Sequence, residues 1–225
     1  MKIGLIADIH ANLPALEAVF ADFPKLDSVV CAGDVVGYYA HVNEVCAFLR
    51  ERRVWTIRGN HDAFITGEIA PDAELSPVYR CQWTRREILP DHYAWLCSLP
   101  VEIVFQWRGN RIRVRHASPG DEHTYLYPDA PQLADVRVAK DEILVVGHTH
   151  RPMRMRCGDG WLVNPGSVGQ PRDWDPRASY AIVEVETLDV EFRRVEYDVR
   201  SLQARLKAQG WDGKMVALLS RERMT

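Results

Sequence analysis

The sequence predicts an α/β fold in which two mixed β-sheets pack on each other with helices outside, a four-layer α/β/β/α sandwich spanning residues 1–225 as one domain. Three observations predict it. Asp8, Asp34 and Asn60 stand 26 residues apart, each directly after an apolar run of buried-strand character (residues 2–7, 26–31 and 54–57), a period that suits consecutive βαβ units. Beyond Pro100 the pattern changes to paired strands around short turn signals, which reads as antiparallel hairpins. Two sheets that each carry an apolar face bury both most economically by packing together.

Taken in order, residues 2–7 form the first strand, and Leu13-Pro14 opens a helix to about Asp22 with proline in its first turn. Residues 26–31 are the second strand. Residues 41–51 fit a helix with Val42, Val45, Cys46 and Leu49 on one stripe, and residues 54–57 are the third strand. Residues 64–99 read as a helical insertion, with segments 78–89 and 91–97 separated by Pro90. Residues 101–106 and 111–116 flank Arg108-Gly109-Asn110 as a hairpin. In its second strand Arg111, Arg113 and Arg115 alternate with Ile112, Val114 and His116, which places His116 on the inward face at the strand's end. A helix at 132–139 and a buried strand at 142–146 follow, with Gly147 ending the strand. Hairpins at 153–157 with 161–164 and at 180–186 with 190–197 come next, and helices at 199–207 and 213–223 close the chain.

Composition narrows the functional classes. A net charge of −3 gives no general pull toward nucleic acid or an anionic membrane, so a phosphate-bearing ligand has to be attracted locally. Five cysteines without a C-x-x-C pair argue against a disulfide framework and against a thiolate zinc site, and a reducing cytoplasm is the expected location. The first apolar run is broken by Asp8 and is too short for a signal peptide, and no stretch reaches membrane-spanning length.

Parallel strands joined by right-handed crossovers bring their C-terminal tips to one edge of the sheet, where ligands of open α/β sheets bind. Seven residues stand at such tips or just beyond: Asp8, His10, Asp34, Asn60, His116, His148 and His150. Within Asp8/His10 and His148/His150 the spacing of two directs both side chains to one side if the backbone is extended. Imidazole, carboxylate and amide donors without thiolate suit borderline divalent ions, and seven donors suffice for two ions that share a carboxylate.

The motifs Asp8-Ile9-His10, Gly33-Asp34, Gly59-Asn60-His61-Asp62, His116 and Gly147-His148-Thr149-His150 occur in order over residues 8–150. As a set they resemble the calcineurin-like metallophosphoesterase superfamily. Gly33-Asp34-Val35-Val36-Gly37-Tyr38, His116-Ala117-Ser118-Pro119 and Asn164-Pro165-Gly166-Ser167-Val168-Gly169 look like its small bacterial and archaeal phosphodiesterase branch, which includes diadenosine tetraphosphatase-like members. The resemblance implies one ion on Asp8, His10, Asp34 and His150 and a second on Asp34, Asn60, His116 and His148, with Asp34 bridging. Manganese is the first expectation, with iron, zinc, cobalt and nickel as alternatives. Two such ions, about 3.5 to 4 Å apart, activate a shared water as hydroxide for attack on a phosphodiester or phosphomonoester of a small nucleotide-like substrate. By the same resemblance His61 donates a proton to the leaving oxygen, and Asp62 orients His61. Asn12, Tyr38 and Arg172 are candidate substrate contacts, and the substrate walls come from Tyr38, residues 64–99 and residues 118–128.

Competing readings are a protein phosphatase and a non-catalytic scaffold of the same fold. Members that act as scaffolds depart from the ligand or acid pattern, and this chain keeps both. His41, His92 and His123 have no partner at ligand spacing and read as surface or packing residues. The expected partner is a small phosphate ester, without stable nucleic acid or a membrane, and the resemblance admits a homodimer.

Overall fold

The computed structural model describes residues 1–220. Strands β1 (Lys2–Ile6), β2 (Ser28–Cys31), β3 (Trp55–Thr56), β9 (Ala178–Glu184) and β10 (Asp189–Val195) form one mixed sheet in the order β10-β9-β1-β2-β3. Here β1, β2 and β3 are parallel, and β9 and β10 are antiparallel additions. Strands β4 (Glu102–Trp107), β5 (Asn110–Arg115), β6 (Glu142–Val145), β7 (Pro152–Cys157) and β8 (Gly160–Pro165) form the second, in the order β4-β5-β6-β8-β7, with β5, β6 and β8 parallel. The expected pair of mixed sheets is what the chain builds.

Side-chain alternation explains how the sheets meet. Ile3 and Leu5 of β1 and Val30 of β2 point inward against Ile112 and Val114 of β5 and Ile143 and Val145 of β6, and all are buried. Ile6 and Cys31 point the other way, into a second cluster under helices α1 (Leu13–Asp22), α2 (Val42–Glu51) and α7 (Val199–Ala208). A sheet covered on both faces demands strands that are apolar at nearly every position, which is why β1 and β2 read as continuous runs. On β5 the arginines take the outer side, where Arg113 pairs with Glu142 at 3.2 Å and Arg115 with Glu102 at 3.6 Å.

Three expected elements differ. Helix α3 (Asn60–Thr66) begins at Asn60 itself, because Asp62 in its first turn accepts the Gly59 N–H at 2.9 Å and caps it. The expected helix at 78–89 is two pieces, α4 (Ser76–Tyr79) and α5 (Cys81–Glu87), broken where Arg80 takes a left-handed backbone (φ 60°), and α6 (Pro90–Cys97) starts at Pro90. Residues 132–139 hold only a 3-10 turn, Pro131–Asp135. Val136 and Val138 then run extended so that both enter the cluster of Leu126, Leu144, Val146 and Leu162 that covers the outer face of the second sheet. Helix α8 (Gly213–Ala217) and a short 3-10 turn, Leu218–Ser220, fill the last expected helix, whose remainder lies outside the described residues. Among the described residues no helix is long and apolar enough to cross a membrane.

Candidate metal centre

The tips of β1, β2, β5 and β6, together with the start of α3, deliver Asp8, His10, Asp34, His116, His148, His150 and Asn60 to one crevice, and all seven are at most 5% exposed. The backbone does this by turning left-handed just past β1, β2 and β6. Asp8, His10, Asp34, His148 and His150 have φ between 51° and 66°. The pairs at a spacing of two therefore converge through left-handed turns, where extended backbone was expected. Non-glycine residues enter this region at a cost of roughly 1 kcal/mol or more each, so the surroundings must hold them there. Backbone bonds from Asp8 N to the Gly33 carbonyl (3.0 Å), from His10 N to the Asp34 carbonyl (3.0 Å) and from Gly169 N to the Asp8 carbonyl (3.0 Å) do so.

Two donor groups result. Asp8, His10, Asp34 and His150 form one and Asp34, His116 and His148 the other, and within each the ligand atoms lie within 4.8 Å of one another. Asp34 belongs to both. Asn60 joins the second group, its Oδ1 2.9 Å from His116 Nε2. In the first group His10 Nε2 stands 3.1 Å from His150 Nε2 and 3.7 Å from Asp34 Oδ2. The opposite nitrogens of three imidazoles face main-chain carbonyls: His10 Nδ1 with Val36 (3.3 Å), His116 Nδ1 with Ala32 (2.7 Å) and His150 Nδ1 with Gln170 (2.6 Å). Such a contact fixes the tautomer that presents Nε2 to the crevice.

The residues fit a cation on the structure's own terms. Asp8 Oδ2 and Asp34 Oδ2 are buried without a hydrogen-bond partner, and a buried carboxylate oxygen left unpaired is costly. In the same cluster the Nε2 atoms of His10 and His150 face each other at 3.1 Å. Electrostatics records the same crowding. Burial pushes the Asp8 carboxyl up to about 7. Burial works in the same direction on Asp34, yet the imidazoles of His116 and His61 hold its carboxyl well below the usual range. His116, although burial disfavours its charge, is drawn up to about 10 by Asp34. Burial drives His10 and His150 well down and His148 to about 3.

The expected catalytic and substrate residues are distributed differently. His61 is buried beside the first group, its ring 4.8 Å from His10, 4.9 Å from Tyr38 and 4.5 Å from Tyr79, and its Nδ1 has no hydrogen-bond partner. Burial pushes it down to about 4. Asp62 does not touch it. Its carboxylate is spent on the main-chain N–H groups of Val35 (3.0 Å), Val36 (3.1 Å) and Gly59 (2.9 Å), so it holds the loop after Asp34 and the cap of α3, and the expected orienting contact with His61 is absent. Asn12 is likewise committed to structure. It caps α1 through Ala15 N (3.2 Å) and donates to the Gly169 carbonyl (2.9 Å) and the Tyr197 hydroxyl (3.1 Å), which leaves its fully buried amide nothing to offer a substrate. Tyr38 and Arg172 do meet at the crevice, with Arg172 donating to the Tyr38 hydroxyl (3.2 Å) and to Gln170 Oε1 (2.9 Å). Three rim residues come from the segments expected as substrate walls: Tyr79 and Tyr125, not named individually from sequence, and His123, which was read as a surface or packing residue. Tyr125 stacks on the His148 ring at 3.8 Å, and the His123 carbonyl meets His148 Nε2 at 2.9 Å. The alternation Tyr125-Leu126-Tyr127, with only Leu126 buried, was the available signal.

A profile of the Calcineurin-like phosphoesterase superfamily domain matches residues 1–188. A probable metallophosphoesterase of Methanothermobacter thermautotrophicus is 40% identical over 215 residues, 91% of this chain and 99% of that protein. The phosphodiesterase YfcE of Escherichia coli K12 is 26% identical over 207 residues, 84% of this chain and 91% of its own. The crystal structure of a metallophosphoesterase from Sphaerobacter thermophilus superposes with a TM-score of 0.83 at 31% identity, covering 98% of each chain.

Proposed function

The chain belongs to the calcineurin-like phosphoesterase superfamily and is a metallophosphoesterase; from that premise we propose a dinuclear enzyme that hydrolyses phosphodiester or phosphomonoester bonds of small, nucleotide-like substrates. The observation that carries the reading is Asp34, a buried carboxylate common to two clusters of nitrogen and oxygen donors, with one oxygen left without a hydrogen-bond partner. Asp8, His10, Asp34 and His150 would hold one ion, and Asp34, Asn60, His116 and His148 the other. Manganese is the leading candidate for such mixed ligation. When bound, a pair of divalent ions supplies an activated water and neutralises charge on the phosphoryl oxygens.

The chain's own residues supply the remainder. Arg172 is a guanidinium in the crevice wall that has, among the described residues, no carboxylate within salt-bridge distance and the neutral oxygens of Tyr38, Gln170 and Tyr125 as side-chain partners. A cation so placed takes the substrate phosphate as its counter-charge, with Tyr38 setting its fork. His61, buried beside His10 of the first donor group, is the residue we assign to protonate the leaving oxygen. Likeness to the phosphodiesterase YfcE supports diesters as the first substrates to try.

The test is direct. Metal-depleted protein supplied with Mn²⁺ should hydrolyse a generic aryl phosphodiester, and a panel of dinucleoside polyphosphates, cyclic nucleotides and monoesters would rank the natural class. Inactivity that persists across divalent ions and pH would favour a scaffold role instead.

A further inference from the structure

The two donor groups are held in place by different parts of the chain. The ligands of the first are fixed at the sheet edge almost wholly by main-chain groups: Asp8 by Gly33, Gly169, the Ser167 hydroxyl and, on its Oδ1, the His148 N–H (3.1 Å), which does not depend on the His148 ring; His10 by Asp34 and Val36; and His150 by Gln170. In the second group His116 is held by the Ala32 carbonyl, and it is His148 that leans on the peripheral segment 118–128. That segment begins two residues after ligand His116. Its Glu122 pairs with Arg58 at 3.0 Å, two residues before ligand Asn60. Its His123 carbonyl meets Nε2 of ligand His148, and its Tyr125 covers the same imidazole.

His148 is also oriented in the opposite sense to the other imidazoles. His10, His116 and His150 each set Nδ1 against a carbonyl of the crevice's own loops, whereas His148 sets Nε2 against His123, leaving Nδ1 for the crevice. Its tautomer and ring plane therefore depend on a segment that is rooted through two buried side chains, Ser118 and Leu126, and shaped by a local turn. In that turn Asp121 accepts the N–H groups of His123 and Thr124, both at 2.6 Å, and this aims the His123 carbonyl.

We propose that residues 118–128, through His123 and Tyr125, act as the positioning element for ligand His148 and so set the affinity of the second ion while leaving the first untouched. This rests on the dinuclear reading above. Tyr125 is a positioning residue, acting on the metal through the imidazole it covers. Substrate chemistry at the crevice mouth then follows loop position, because the segment that orients His148 is also a wall of the cleft.

The experiment titrates metal-free protein with MnCl₂ by calorimetry, with bound manganese counted by elemental analysis. For Tyr125→Leu and Asp121→Ala the second binding event should weaken about tenfold or more while the first stays within about twofold of wild type, the range expected for loss of a group that orients a ligand. Tyr125→Phe, which keeps the ring, should behave as wild type. Glu122→Gln, a rim substitution, gives the same selective readout if Tyr125→Leu does not fold. Equal weakening of both events, or no change in either, would overturn the proposal. Wild-type protein that saturates at one ion would instead take down the dinuclear reading on which it stands.

Discussion

Gly59→Ala isolates the packing around the shared carboxylate. The Gly59 backbone (φ −99°, ψ 177°) is extended and open to any residue, so alanine brings no conformational penalty. Its Cβ would, however, lie 2.2 Å from Asp34 Oδ1 and 2.3 Å from Asp34 N. Contacts under 3.0 Å do not persist, so Asp34 or the α3 cap has to move by at least 0.8 Å, the gap between 2.2 and 3.0 Å. Overpacking of this kind costs roughly 1–3 kcal/mol, which for a chain of this size lowers the melting temperature by about 2–4 °C per kcal/mol. A displacement near 1 Å in catalytic geometry costs on the order of a hundredfold in rate. The expected outcome is a folded protein with a lower melting temperature, both manganese sites weakened together, and kcat/KM on an aryl phosphodiester reduced about a hundredfold. Gly213→Ala, which meets nothing within 4 Å, is the control. A Gly59→Ala protein with wild-type melting, metal binding and turnover would refute the placement of Asp34 against this loop.

Other outcomes follow from the same geometry. His61→Ala should retain both metals and lose about 10²–10⁴-fold in turnover, and unimpaired turnover would remove His61 from the reaction. Asp34→Asn should weaken both ions, since its carboxylate belongs to both donor groups, and two tight ions in that variant would contradict the bridge. Metal loading should release protons near pH 7. His116, held protonated up to about 10 by Asp34, and Asp8, raised to about 7 by burial, must both shed protons to act as ligands. Affinity therefore rises with pH through this range, and calorimetry in buffers of different ionisation enthalpy should show the released protons. A binding heat independent of buffer would refute it.

How far the sequence reached is clearest at the ligands. The spacing of Asp8, Asp34 and Asn60 correctly placed three parallel strand tips at one edge, because a period set by βαβ units is a property of chain length and handedness. The spacing of two within Asp8/His10 and His148/His150 led to the right convergence by the wrong geometry. A left-handed residue leaves no mark in hydrophobic periodicity, and its cost is met by long-range backbone bonds such as Asp8 N to Gly33. Asp62 shows the same limit, because adjacency to His61 says nothing about which N–H groups the fold will bring to its carboxylate. Residues 132–139 failed as a helix since Val136 and Val138 are placed by contacts with Leu144 and Leu162, and tertiary packing overrides local pattern.

The glycines of the motifs explain why ligand and loop are legible together. A Cβ at Gly33 would stand 2.7 Å from Gly59 N and 2.9 Å from His116 Nδ1, in a residue whose φ is already +90°. A Cβ at Gly59 would strike Asp34. Each glycine is thus the empty space that a neighbouring ligand or its loop occupies, and the pairs Gly33-Asp34 and Gly59-Asn60 are single packing units contributed by two different strand ends. Neither can change without displacing donors of both groups. Segment 118–128 sits outside this mutual constraint, attached by side-chain contacts at Glu122, Tyr125 and Leu126. It is therefore the part of the crevice wall whose substitution costs the fold least, so that a change there reads out at His148 and not in the strand-end packing.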